Sequence, residues 1–276
     1  MYISNPTYKI NYNQNYRNFN RNYVTFCHNN SAMLQQSNKL VNSYLKNFAS
    51  QAGGFLQDGI TSLQPSEIKM DTLRKIADCE LQKMQNFPKD HILLIVTGRI
   101  GGGKTTYVKN NNLHNLFYIP DADEIKLLLP KYKECGASYV HRASCLINSA
   151  NLSEALKRGI NTVIQTSTTI DNIYDIIDEA KDYKYNDIIL VHIDTSEENA
   201  IRRSQKRGEL TGREISPEVI KERKYIDEIV PTFQTPLKGL SQLIVYNNDG
   251  DFLIKVKDVN FNIPQAVYTY LTDISE

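Results

Sequence analysis

The sequence predicts an α/β protein: a parallel sheet flanked by helices, preceded by a mostly helical extension. Three observations predict it. An apolar run, Ile92–Val96, leads directly into Gly98-x-x-x-x-Gly103-Lys104-Thr105, the spelling of a phosphate-binding loop between a strand and a helix. From His91 onward, short apolar runs alternate with segments of helical period, the pattern of βαβ units. Before His91, apolar residues recur only at helical spacing or not at all.

The 276 residues are enough for a sizeable core, as one large domain or one domain with an appendage. With a net charge of +1, no global field draws the chain to nucleic acid or to an anionic membrane. No apolar run approaches the length of a membrane span. The four cysteines, Cys27, Cys79, Cys135 and Cys145, form no C-x-x-C pair and read as reduced thiols. The N-terminus lacks the apolar stretch of a Sec-type signal peptide. The expected location is the cytoplasm, and a delivery route without a signal peptide into a host cell stays open.

Three regions are expected along the chain: 1–31, 32–87 and 88–276. Residues 1–31 are rich in Asn and Tyr and poor in aliphatics, which predicts a disordered or loosely packed arm. Residues 32–50 predict a helix with Leu34, Leu40, Val41, Tyr44, Leu45 and Phe48 near one face. Ser66 is a suitable N-cap for a second helix carrying Ile68, Leu73, Ile76, Ala77, Leu81 and Met84. Strands are predicted at Ile92–Thr97, Leu116–Ile119, Asn161–Thr166 and Asp187–Asp194, the first buried on both faces. Helices are predicted at Lys104–Asn110, Ala137–Arg158, Asp171–Lys184 and Glu197–Lys206, and from Pro217. Arg207–Ile215 reads as a polar loop containing glycine, and Asn247-Asn248-Asp249-Gly250 as a turn between two closing strands.

The loop motif has a physical reading. Gly98, Gly101, Gly102 and Gly103 let the backbone turn so that successive N–H groups converge, and the following helix adds its positive end. Phosphate oxygens of ATP would bind there, with Lys104 on the β/γ-phosphates, the Thr105 hydroxyl on Mg²⁺, and Thr106 next in the helix. Asp121 and Asp123 follow a predicted strand, where ligands gather in open α/β sheets. They could divide the tasks of holding Mg²⁺ (Asp121) and accepting a hydroxyl proton (Asp123); the alternative is that they cap the next helix. Arg203, Arg207 and Arg213 could stabilise charge on a transferring phosphoryl group from a mobile lid. Asp194 ends a strand of Walker B shape but reads more naturally as a helix cap.

These residues together resemble the zeta-toxin family of P-loop kinases. The resemblance is carried by Gly98–Thr106, by Tyr118-Ile119-Pro120-Asp121-Ala122-Asp123-Glu124 with Pro130 and Tyr132, by Ala155–Thr166, by the arginines before Ser216-Pro217-Glu218, and by Leu243–Gly250. It covers about residues 88–255. It implies an adenylate-kinase-like fold and ATP- and Mg²⁺-dependent phosphorylation of a metabolite hydroxyl, such as that of UDP-N-acetylglucosamine or of NAD. It implies Lys104 on the phosphates, Thr105 on Mg²⁺, Asp123 as base, Arg203 (or Arg207) and Arg213 on phosphate, and Gln165 and Thr166 beside the substrate. A protein partner, an antitoxin or a host protein, would accompany such a toxin. Three positions depart from the pattern. Gln165 replaces a usual Glu, Leu129 replaces a frequent His, and Arg142 stands where an acidic residue is common.

The expected function is therefore a small-molecule kinase acting on a nucleotide-type metabolite. Two alternatives are a polynucleotide 5′-kinase, which the near-neutral charge disfavours, and a catalytically weak nucleotide-binding protein that docks a partner through its N-terminal third.

Overall fold

The computed structural model describes residues 31–51, 62–211, 215–222, 239–250 and 253–261. The expected arm (1–31) lies almost wholly outside them, as do Arg213 and Phe252. Among the described residues no helix is long and apolar enough to cross a membrane. The chain divides into two compact units: residues up to Gln82 with Glu124–Ile147, and Lys83–Asp123 with Asn148 onward.

In the first unit, α1 (Ser31–Ser50) buries Met33, Ser37, Leu40, Val41, Tyr44 and Phe48. Leu34 and Leu45, expected on that face, are 53% and 38% exposed. The stripe 33, 37, 40, 41, 44, 48 follows the helical period, and 34 and 45 fall just beyond its edge, on the side past Val41. Ser37 Oγ donates to Asp78 on α2 (Met70–Met84), whose carboxyl is pushed up by burial. A 3₁₀ turn, Pro65–Glu67, intervenes before α2. Ser66, the expected cap, lies inside it, and α2 starts three residues later than that cap implies. Glu67 accepts from Lys131 and from the Tyr139 hydroxyl, tying this turn to later residues of the same unit.

In the second unit, β1 (Ile92–Gly98), β2 (Thr162–Thr166), β3 (Asp187–Asp194), β4 (Gln242–Asn247) and β5 (Ile254–Asn260) form one sheet in the order β2-β1-β3-β4-β5. The first four strands are parallel; β5 returns antiparallel to β4. Both faces of β1 are covered. Leu93 and Ile95 join Ile173 and Ile177 of α6 (Ile170–Asp182), while Leu94 and Val96 join Val108 of α3 (Lys104–Asn110). The chain leaves β1 for β2 on one side and reaches β3 on the other, so the loop after β1 sits at a topological switch point.

Leu116–Ile119, expected as a strand, is not one. Only Tyr118 pairs with the sheet, its N–H on Asn161 O and its carbonyl on Val163 N–H. A 3₁₀ turn at Leu113–Asn115 takes the N–H groups of Leu116 and Phe117, and Pro120 has none to give. The lone bridge still runs parallel to β2, so the chain travels toward the carboxyl end of the sheet as it reaches Asp121.

Helix α4 spans Ala122–Lys126, and α5, Tyr132–Lys157, bends at Gly136 (φ 83°, ψ −179°), one residue before the expected start. Helix α7 (Glu197–Thr211) runs past the expected end at Lys206, so Arg207 lies on a helix and not on a loop. A single glycine, Gly208, costs a helix only about 1 kcal/mol, and good helix formers surround it. Ser204 Oγ donates to Ile215 O and accepts from Ile215 N at 3.1 Å each, which pins the return of the chain before α8 (Pro217–Glu222).

Candidate active site

The loop from Gly98 to Gly103 joins β1 to α3, with Lys104 and Thr105 as the first helical residues. Gly98 has φ 144°, and a Cβ there would stand 2.4 Å from the carbonyl oxygen of Ile193 on β3. Only glycine permits that approach, so the strand can run straight into the loop.

Lys104 turns back across the loop. Its ammonium donates to Gly98 O and Arg99 O at 2.8 Å each and to Ser167 Oγ at 2.6 Å. Ser167, just beyond β2, donates in turn to Gly98 O at 2.7 Å. The ammonium thus reaches into the concavity of the loop, where anionic phosphate oxygens would compete with these two carbonyls and the hydroxyl. Thr105 Oγ1 donates to Gln165 Oε1 at 3.0 Å. Gln165 and Thr166 end β2 half-buried, and Thr166 stands in register with Thr97 of β1. Thr106 is exposed on α3.

Asp121 Oδ1 accepts the N–H of Asp123 at 2.7 Å, so this carboxylate caps α4. Asp123 is half-buried in the first turn of that helix. Arg203 donates from Nη2 to Asn248 O at 2.6 Å. Arg207, one turn further along α7, is exposed. The carbonyl of Asp194 accepts from Asn248 N at 2.9 Å, while Ser196 Oγ accepts from Asn199 N at 3.4 Å, so the capping bond at the start of α7 comes from Ser196.

Several residues beside the loop went unmarked in the sequence. Asn248 Nδ2 donates to Gly102 O at 2.7 Å and Thr195 Oγ1 to the same carbonyl at 3.2 Å. Asp249 Oδ1 accepts from Ser196 N, Ser196 Oγ and Asn199 Nδ2. Burial pushes the Asp249 carboxyl up, but these bonds and the Arg203 charge outweigh it and hold it below the usual range. His192, on β3 beside Thr97, is 1% exposed. Burial first, then the charges of Lys104 and Arg99, push its imidazole down to about 4, so it is neutral under the loop. The one signal for these residues is position: His192 lies near the end of β3, Thr195 and Ser196 follow it, and Asn248 and Asp249 follow β4.

Of the departing positions, Leu129 is buried at 4% exposure, and Arg142 donates to Gln51 Oε1 at 3.2 Å, both within the first unit. Among the described residues no three His, Cys, Asp or Glu side chains converge as a metal cage.

A parallel sheet with a glycine loop at its switch point, a lysine inside that loop and a threonine opening the next helix defines a P-loop nucleotide-binding protein. A family model described as zeta toxin matches residues 77–255, more than half of the chain. The chain belongs to the zeta toxin family. A solved chain of the PezAT chromosomal toxin–antitoxin system of Streptococcus pneumoniae shares the fold, with a TM-score of 0.54 and 17% identity over 72% of this chain and 82% of that one. More distant likenesses are the AvrRxo1-ORF1:-ORF2 complex (TM-score 0.49, 15% identity, 73% of this chain and 72% of that one) and a putative kinase from Chloroflexus aurantiacus (TM-score 0.40, 16% identity, 66% and 97%). No curated protein matches the chain.

Proposed function

We propose that this zeta toxin is an ATP- and Mg²⁺-dependent kinase that phosphorylates a hydroxyl of a small nucleotide-type metabolite, of the UDP-N-acetylglucosamine or NAD kind. The observation that carries the reading is the Lys104 ammonium held inside the glycine loop by Gly98 O, Arg99 O and Ser167 Oγ. An ammonium directed into that loop is placed to take phosphate oxygens, whose charge makes them stronger acceptors than a carbonyl or a hydroxyl. The loop amides and the α3 N-terminus add fixed positive potential.

The residues present fit the cofactors. Thr105 supplies the hydroxyl that a P-loop offers to Mg²⁺, with Asp121 as the carboxylate candidate, and Mg²⁺ needs few protein ligands beside phosphate and water. Bound Mg²⁺ would supply charge neutralisation on the phosphate chain. Asp123 orients the acceptor hydroxyl and takes its proton. Arg203, with Arg207 and Arg213, stabilises the charge spread over the transferring group. Gln165 and Thr166, at the carboxyl end of β2, line the acceptor side. An antitoxin-type protein partner belongs to the same reading, because the PezAT relative comes from a toxin–antitoxin system. So does a cytoplasmic site of action, in the producing cell or in a host.

The test is to incubate the protein with γ-labelled ATP, Mg²⁺ and a metabolite extract, with Asp123→Ala as control. Label in a small molecule, absent with the variant, is the expected result; label on oligonucleotide ends would point to a polynucleotide kinase instead. A second reading, a nucleotide-binding protein with little turnover, is favoured by the neutral amide of Gln165 at Thr105. Tight ATP binding with no transfer to any acceptor would establish it.

A further inference from the structure

Asn248 lies after β4 in a stretch whose residue types read as a turn. Its main chain is fixed from two sides: its N–H donates to Asp194 O on β3 at 2.9 Å, and its carbonyl accepts from Arg203 on α7 at 2.6 Å. The next residue, Asp249, fastens the same turn to Ser196 and Asn199 at the start of α7. So anchored, the Asn248 side chain reaches the phosphate loop and donates to Gly102 O at 2.7 Å, where Thr195 Oγ1 also donates at 3.2 Å.

That carbonyl belongs to the peptide joining Gly102 to Gly103. A trans peptide sends its C=O and N–H in opposite directions. Two donors that hold Gly102 O toward β3 and β4 therefore turn the Gly103 N–H away from them. Amides so directed, in the turn just before a helix, bind phosphate oxygens. Gly103 carries the matching signature. Its φ is 98°, and a Cβ on it would lie 2.5 Å from Asn248 Nδ2. The glycine before the lysine thus serves the asparagine contact as well as the turn.

We propose that Asn248 is a positioning residue for the phosphate loop: with Thr195 it holds the Gly102–Gly103 peptide in its triphosphate-binding orientation, and through its own carbonyl it ties that peptide to Arg203. The proposal rests on the loop being an ATP site. It assigns the turn after β4 a part in binding the phosphate chain without touching it.

The test is calorimetric titration of the full chain with ATP and with inorganic tripolyphosphate, for wild type, Lys104→Ala, Asn248→Ala, Asn248→Asp and Thr195→Val, with the melting temperature of each free protein. Asn248→Ala should weaken both ligands about tenfold, the scale of one lost hydrogen bond. Asn248→Asp should weaken them further, because it sets a carboxylate against a carbonyl oxygen beside the phosphates. Thr195→Val should act in the same direction but less. A merely structural role would lower the melting temperature and leave both affinities unchanged well below it, and that result overturns the proposal. If wild type binds no ATP, the nucleotide reading fails and the proposal with it. If wild type binds, Lys104→Ala does not, and the Asn248 variants match wild type, the proposal alone fails. Should the Asn248 variants not fold, an unchanged affinity in Thr195→Val overturns it.

Discussion

The hydroxyl of Thr105 donates to the side-chain oxygen of Gln165 at 3.0 Å, joining the start of α3 to the end of β2. The residue expected to meet Mg²⁺ is therefore held by a neutral amide. Gln165→Glu preserves shape and puts a carboxylate beside that hydroxyl. The apparent Mg²⁺ requirement of phosphoryl transfer should fall, by about tenfold on the scale of a charge-assisted bond. Magnesium titrations of ATP turnover in both proteins measure this, and an unchanged requirement would detach Gln165 from the metal.

Lys104→Met removes the ammonium that bridges Gly98 O, Arg99 O and Ser167 Oγ. Transfer should drop by roughly 10²–10³-fold, the usual cost of deleting one electrostatic stabiliser. ATP affinity measured by calorimetry should fall as well. Retained affinity and rate would remove the lysine from the chemistry.

Asp123→Asn keeps the backbone N–H that Asp121 accepts and removes the base. The rate should fall by about 10²–10⁴-fold with ATP affinity unchanged. Single-turnover kinetics with saturating ATP separate the two, and a rate near wild type would move the base elsewhere.

His192 is buried neutral, its imidazole pushed down to about 4 by burial and by the Lys104 and Arg99 charges. An unfolded histidine titrates near 6.5, so the unfolded chain binds the extra proton first as pH falls. The folded state should hold its full advantage above pH ~6.5 and lose about 3 kcal/mol of it as pH falls to ~4. Urea midpoints across that range, compared with His192→Gln, should show a flatter profile in the variant. Parallel profiles would mean that other groups govern the acid limb.

Gly98→Ala forces a Cβ to within 2.4 Å of Ile193 O at a φ of 144°. A strained backbone and a displaced strand end together should cost about 3 kcal/mol or more. Chemical denaturation reads the loss directly; a cost under about 1 kcal/mol would show that the loop can move off β3 freely.

What was legible along the chain was local. A β-branched run, four glycines, a lysine and a threonine specify strand, turn and helix through short-range sterics and hydrogen bonds, so β1 and α3 fall where their periods place them. β3 likewise spans Asp187–Asp194 as its apolar run implies. A local signal fails where it has competition. Leu116–Ile119 looks like a strand, but the preceding 3₁₀ turn and Pro120 take away its ladder donors. Gly208 marks Arg207 as the start of a loop, yet the helix carries through it.

The tertiary structure alone decided which side chains surround the loop. Asn248 reaches Gly102 across 146 residues and Ser167 reaches Lys104 across 63, separations at which no periodicity carries a signal. These meetings follow from strand order, because β2 and β3 flank β1, and β4 lies beside β3, with their carboxyl ends on one side. A parallel sheet brings the ends of its strands to one edge, and the polar groups gathered there satisfy one another and the loop. A residue's own neighbours in sequence do not record which strand ends will be adjacent, and so Asn248 reads as a turn until the sheet is assembled.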